Sequence, residues 1–396
     1  QLRYGFGVKP VYHNVNLPMP KNFKASYKEV AKKDEDIRCI VENYFDAEPR
    51  GGKHFSASLL NSYIDCPLRF YFANIMGVEV ESELTDSVDG SVFGSIFHKC
   101  MQLIYNHYTE NLKVKTISGA LVEKIIKELF PAGKTDGSFS GPGSSKLNDF
   151  IFNGFKAALQ VDVIEGENLV IRELVERYIY NTLTVDFERV SGTGEFTFIG
   201  TEKMILGKYI GANFIAFFDR LEKGPDGVVR ISDYKTGYFD PEIINKYYSD
   251  NQGVSVINDD EIESVLDVLF DMSGGRKPSD KILMQLFVYA MMWAECEDNP
   301  QRVKLDENFL NNNLPLGGSN IDVTIYPVRK IKSQGLVTLR VTINNIIAFK
   351  KRLSKLLDEI KSNGEGNNKF RMCNDASPCE FCDFAATCNR SAEVKD

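Results

Sequence analysis

The stretch from 213 to 236 leaves the chain little choice of local structure. Two strand-like runs, Asn213-Phe-Ile-Ala-Phe-Phe-Asp-Arg-Leu221 and Val228-Val-Arg-Ile-Ser-Asp-Tyr-Lys235, are joined through Gly224-Pro-Asp-Gly227. That tetrapeptide is a strong turn signal, so the segment reads as an antiparallel hairpin with strands over 213–223 and 228–236. Alternation puts Asp233 and Lys235 on one face. Hairpin closure returns Asp219 beside Asp233 to within one register step. Two carboxylates and an ammonium on one face of an apolar hairpin are costly to bury without a compensating charge. A divalent cation supplies that charge, and carboxylate oxygens suit Mg²⁺ or Mn²⁺. Such a site hydrolyses phosphodiesters, with the lysine orienting or deprotonating the water. The acid-x-Lys spacing recurs at Glu359-Ile-Lys361 and Glu393-Val-Lys395, where no carboxylate stands opposite on a hairpin.

Helical periods predict helices over 26–45, 91–108, 117–130, 147–161, 168–182, 281–296 and 344–362, with short ones near 56–72. Ser56 or Ser58 is placed to cap the first of these short helices, and Pro67 opens the next. Further strands are expected over 195–199, 203–206, 321–331 and 336–341. The Gly/Ser-rich stretch 133–145 reads as a loop. The sum is an α/β (or α+β) chain, a mixed sheet with helices around it and a helical insertion over about 110–190. Residues 1–53, interrupted by Pro10, Pro18 and Pro20, read as a lead-in, and 54–396 as one domain. A first residue Gln1 without Met fits a piece cut from a longer cytoplasmic polypeptide. No run approaches the ~20 apolar residues of a membrane helix. With 47 basic and 55 acidic side chains and a net charge of −8, binding to nucleic acid by bulk positive charge is excluded, though a local basic groove is not.

Of eight cysteines, Cys373, Cys379, Cys382 and Cys388 crowd the last 24 residues. Clustering in an otherwise ordinary chain points to metal in a reducing compartment. Cys379-Glu-Phe-Cys382, followed by Cys388, leaves the fourth position to either Cys373 or Cys66. With Cys373 the set is a local tetrahedral zinc knot. With Cys66 it ties the end of the domain to its beginning, which suits an iron–sulfur cluster. Cys39, Cys100 and Cys296 read as core residues.

Two further pairs sit at helical spacing: Gly94 with His98, and Gln285 with Tyr289. The ordered set is Cys66-Pro67, Gly94…His98, Asp219-Arg220, Asp233-Tyr-Lys235-Thr-Gly237, Gln285…Tyr289 and Cys379-x2-Cys382-x5-Cys388. It resembles the RecB/AddB-type branch of the PD-(D/E)XK nuclease superfamily, specifically its iron–sulfur members, over about 55–390. The resemblance implies a restriction-endonuclease-like mixed sheet. It implies that His98, Asp219, Asp233 and the Tyr234 carbonyl bind the catalytic Mg²⁺ or Mn²⁺, and that Lys235 assists the attacking water. On the same resemblance, Gln285 and Tyr289 are expected to line the DNA path, and Cys66, Cys379, Cys382 and Cys388 to hold a [4Fe–4S] cluster, with Cys373 a spare. It also implies exonuclease or end-processing activity on DNA in double-strand-break repair, beside a helicase-like region or subunit. Two positions depart from the pattern: Ala216 replaces a usual glycine, and the long stretch 240–281 is expected to add a flap over the channel. Two other readings compete: a non-catalytic DNA-binding scaffold of the same fold, and an interaction module built on Zn²⁺ at Cys373, Cys379, Cys382 and Cys388.

Overall fold

The computed structural model describes residues 29–31, 35–45, 52–78, 90–110, 113–131, 143–249, 253–299, 302, 320–361 and 369–390. Its centre is an eight-stranded mixed sheet. In chain order the strands are β2 (Thr116–Ile117), β3 (Phe196–Tyr209), β4 (Ala212–Lys223), β5 (Val229–Lys235), β6 (Tyr248–Ser249), β7 (Ser255–Val256), β8 (Ile321–Pro327) and β9 (Val337–Val341). Across the sheet they run β2-β3-β4-β5-β8-β9-β7-β6. The hairpin forms as its sequence dictates. Gly227 takes φ +83, and the Asp226 side chain accepts from the Val228 N–H at 3.0 Å. Arg220 pairs with Ser232 and Leu221 with Ile231, a register that brings Asp219 opposite Asp233. β8 joins β5 in parallel and is buried along its whole length, as expected of a strand covered on both faces.

Helices cover the two faces with separate cores. On one side lie α2 (Ala57–Asp65), α3 (Pro67–Phe70), α8 (Ile262–Leu269), α9 (Pro278–Ala294) and α10 (Ile343–Lys361), with Phe214, Phe218, Ile231 and Trp293 among the buried side chains. On the other lie α4 (Gly90–Glu110), α5 (Gly119–Leu129), α6 (Ser145–Leu159) and α7 (Asn168–Thr193). The apolar residues of α4, Phe97, Met101, Ile104, Tyr105 and Tyr108, recur at three- and four-residue steps and are all buried. Ser56 is the cap of α2, its hydroxyl accepting from the Leu59 N–H at 3.2 Å.

The structure differs from the sequence-based expectation in four places. The two strands expected over 195–206 are one strand, β3. Its pairing with β4 shifts between Phe198 and Gly200, and Glu202 sits at φ +47, so the interruption that reads as a loop is an irregularity inside a ladder. The helix expected over 26–45 is limited to α1 (Glu35–Glu42), because Glu29–Ala31 (β1) pairs with Lys369–Arg371 (β10). α7 runs 11 residues past the predicted end at 182, as far as Thr193. The stretch 240–281 is not a flap. β6 and β7 extend the sheet edge beside β9, and Leu266 and Leu269 of α8 are fully buried, so apolar burial fixes this segment to the body. The Gly/Ser-rich stretch lies mostly outside the described residues. No helix among the described residues is long and apolar enough to cross a membrane.

Candidate active site

α4 brings His98 to the carboxyl end of β5. Gly94 allows the approach: a Cβ there would meet the Thr236 hydroxyl at 3.0 Å. The imidazole bridges backbone and acid. Its Nε2 lies 2.9 Å from the Tyr234 carbonyl, and its Nδ1 lies 3.2 Å from Asp219 Oδ1 and 3.8 Å from Glu202 Oε1. Asp219 is fixed from its other oxygen, which accepts from the Tyr234 N–H at 2.7 Å. Tyr234 thus holds both neighbours through its main chain. Among the described residues, His98, Glu202 and Asp219 form a group whose ligand atoms all lie within 4.8 Å of one another. One imidazole and two carboxylates are a donor set that fits Mg²⁺ or Mn²⁺.

Beside this group, Asp233, Lys235 and Gln285 interlock. Gln285 donates to Asp233 Oδ1 at 3.0 Å and accepts from Lys235 at 2.8 Å. It is also bonded to the Tyr289 hydroxyl at 2.6 Å. The Lys235 ammonium forms an ion pair with Asp233 Oδ2 at 2.9 Å. Gln285 and Tyr289 sit one turn apart on α9, and the Tyr289 ring packs edge-on to Phe218 at 5.0 Å.

The electrostatics follow from crowding. Burial raises the pKa of Asp233; Lys235 opposes the rise and Asp219 adds to it. Glu202 is raised by burial and then by the charge on Asp219. For His98, burial alone would lower the pKa. Asp219, by charge and hydrogen bond, together with Asp233 and the Tyr234 carbonyl, overrides burial and holds it at about 9.

Beneath His98, on the face of the sheet covered by α4 and α7, lies a buried ionic network. Arg220 donates to both Asp186 oxygens at 2.7 and 2.9 Å, to the Tyr234 hydroxyl at 3.2 Å and to the Tyr326 hydroxyl. Glu222 lies 3.2 Å from Arg220 and 2.5 Å from Arg189. Arg220, Asp186 and Glu222 are 0% exposed. The network anchors the ring of Tyr234, the residue whose main chain positions His98 and Asp219.

The cysteines gather in one corner. The Cys373 N–H lies 3.4 Å from Cys66 Sγ, and the Cys373 and Cys379 sulfurs are 3.7 Å apart. Cys66 is drawn down to a pKa of about 6, chiefly by the Cys373 thiol against the effect of burial, with the backbone N–H groups of Arg69, Cys373 and Leu68 assisting. Burial pushes Cys388 up to about 11, and the charges of Cys66, Cys382 and Cys379 act on it in the same direction. Cys373 is therefore in contact with the proposed ligands. No two cysteines are joined by a disulfide.

Glu202 is the site residue that sequence reasoning missed. Thr201 pairs with Arg220 and Lys203 with Phe218, so Glu202 falls across from Asp219. An acid in the strand preceding the hairpin was the available signal. A non-glycine residue at positive φ is uncommon, and such conformations cluster at functional sites.

A family model described as the PD-(D/E)XK nuclease superfamily matches residues 54–253, just over half of the 396-residue chain. The match spans His98, Glu202, Asp219, Asp233 and Lys235, and ends before Gln285 and the terminal cysteines. No curated protein matches the chain.

Proposed function

Because the chain belongs to the PD-(D/E)XK nuclease superfamily, we propose that it is a deoxyribonuclease that uses Mg²⁺ or Mn²⁺ to hydrolyse phosphodiester bonds at DNA ends. The observation that carries this reading is the convergence of His98, Glu202 and Asp219 beside the interlocked Asp233, Lys235 and Gln285. A cation held by these acids supplies charge neutralisation at the phosphate and Lewis acidity. With such a cation bound, His98 would release its Nδ1 proton to solvent and serve as a donor through that nitrogen. Its Nε2–H stays on the Tyr234 carbonyl, which orients the ring as outer partners of ligating histidines do, in place of the direct ligation by that carbonyl that the resemblance implies. Asp233 and Gln285 hold the Lys235 ammonium at the edge of the site, where it orients the attacking water and stabilises negative charge developing on the phosphate. Gln285 and Tyr289 line the adjoining groove, as a DNA path requires.

The finer assignment is a cytoplasmic, exonucleolytic part of a helicase-nuclease in break repair. In this reading Cys66, Cys379, Cys382 and Cys388 hold a [4Fe–4S] cluster, supported by the N–H groups directed at Cys66. A second reading for this corner, zinc at Cys373, Cys379, Cys382 and Cys388, rests on one pair: among the described residues no three cysteine sulfurs lie within 4.8 Å of one another, but the Cys373–Cys379 separation is 3.7 Å. That separation is the sulfur–sulfur edge of a tetrahedron with Zn–S bonds of about 2.3 Å. Iron and zinc content together with the visible spectrum of anaerobically purified protein separate the two.

The test of the activity is digestion of end-labelled single-stranded and blunt duplex DNA with Mg²⁺, Mn²⁺ or chelator. The expected result is metal-dependent release from an end, abolished in Asp233→Asn and Lys235→Ala proteins that keep wild-type circular dichroism. DNA binding without product under either metal would leave the non-catalytic scaffold as the correct reading.

A further inference from the structure

Two grooves flank the metal-binding residues and share one side chain. The first, about 720 Å³, is lined by Gly94, His98, Lys99, Glu202 and Lys235. The second, about 600 Å³, passes Ser58, Ser62, Arg69, Lys281 and Gln285. Phe217 lines both. Single exposed apolar residues are common; this one is set apart by its position. It is 49% exposed while its neighbours Ala216 and Phe218 are buried in the core, which fixes its backbone. Met204, 52% exposed, pairs with it across the ladder and widens the apolar shelf. Phe217 stands two residues before Asp219, about 7 Å along the strand, within reach of the base next to a phosphate held at Asp219.

The second groove supplies the charge. Its acid, Asp65, is already paired with Lys281 at 2.5 Å and with Arg276 at 3.4 Å. Arg69 has no carboxylate partner among the described residues. It also lines a third groove, about 690 Å³, which shares Ser56, Ser58 and Ser62 with the second and has Asp383 in its wall. The cationic stretch of the path is therefore centred on Arg69, between the metal site and that acid. A chain of net charge −8 needs such a local cation to hold a phosphate backbone.

We infer that Phe217 stacks on an unpaired base beside the scissile phosphate while Arg69 takes a phosphate farther along the groove, so that the strand crossing the site is single-stranded nucleic acid. The inference rests on the nuclease reading. It requires a single strand because a paired base inside a duplex has both faces covered by its stacked neighbours.

The test has a binding arm and a cleavage arm. Anisotropy with labelled oligonucleotides in chelator reads affinity without cutting. Phe217→Ala is expected to weaken single-strand binding about 5- to 150-fold, the range that ~1–3 kcal/mol of base stacking converts to. Phe217→Trp keeps the affinity, and duplex binding changes less than twofold. Arg69→Gln weakens all sequences alike and lowers the salt slope by about 0.7. In the cleavage arm, an abasic site flanking the cut slows wild type but leaves Phe217→Ala unaffected. Unchanged single-strand affinity in Phe217→Ala, equal loss on duplex, or equal abasic sensitivity in both proteins overturns the inference. Wild-type protein that binds single strands but cuts nothing overturns the nuclease reading instead, and the binding arm still decides the role of Phe217.

Discussion

Replacing Arg220 by methionine removes the centre of the buried network without emptying its volume. The variant loses two hydrogen bonds to Asp186, those to the Tyr234 and Tyr326 hydroxyls, and the contact with Glu222. Asp186 and Glu222 then share Arg189, which lies 3.4 Å from one and 2.5 Å from the other. Arg230 assists only from the rim, 3.5 Å from Glu222. About one negative charge is left buried and uncompensated. Breaking a buried pair in this way costs ~3–5 kcal/mol, or a fall in Tm of roughly 4–6 °C at ~1.2 °C per kcal/mol for a chain of 396 residues. Urea denaturation followed by circular dichroism and by the single Trp293, itself buried, measures it. The sign with pH is also fixed. Burial alone would raise the Asp186 pKa, but Arg220 more than reverses this and holds it well below the ordinary 3.8. Its contribution is therefore present above about pH 4 and is lost as pH falls through the depressed value. The gap between wild type and variant should narrow in acid. The double variant Arg220→Met/Asp186→Leu should be less destabilised than the sum of the two singles. A loss below about 1 kcal/mol, or strict additivity, would refute this account of the network.

Glu202→Gln should weaken Mn²⁺ binding at least about tenfold, ~1.4 kcal/mol, by calorimetric titration; an unchanged Kd would remove Glu202 from the site. Because His98 holds a proton with a pKa of about 9 that a cation must displace, Mn²⁺ affinity should rise about tenfold per pH unit from pH 7 towards 9 and then level. His98→Gln should flatten that rise. The same raised pKa stabilises the metal-free fold below the unfolded value near 6.5 and is lost as pH climbs through 9, so metal-free stability should fall where metal affinity grows. Cys66→Ser should strip iron and visible colour if the long-range cluster forms, whereas a zinc knot keeps full zinc in Cys66→Ser and loses it in Cys373→Ser.

The hairpin and its two acids were legible because turn chemistry and period-two alternation are local. So was α4, whose apolar repeat needs no partner to be read. What escaped depended on tertiary contact. Glu202 acquires its place from an irregular pairing between β3 and β4, which no spacing in 195–206 encodes. β1 is a strand only because β10 lies beside it, and α7 outruns its predicted end because its last turns bury Asp186 and Val190 against the sheet. Spacing leaves Cys373 and Cys66 as rivals for one position, and it says nothing of the 3.4 Å contact between them.

The charge of the site argues for a divalent ion over a monovalent one. Asp219, Asp233 and Glu202 carry three negative charges when ionised, against one from Lys235. His98 adds a second positive charge only while protonated, and as a donor it is neutral. The donor state therefore carries a net charge of about −2 within a few ångströms, in a pocket where Asp233 is 3% exposed. The raised pKa values of Asp233 and Glu202 express the same excess, since protonation is one way to relieve it. A divalent cation relieves it completely and a monovalent one by half. Saturating Mg²⁺ should thus lower the pKa of His98 well below its metal-free value of about 9, and potassium or sodium should lower it less, a difference that imidazole NMR resolves; equal effects of the two ion classes would disprove the charge argument.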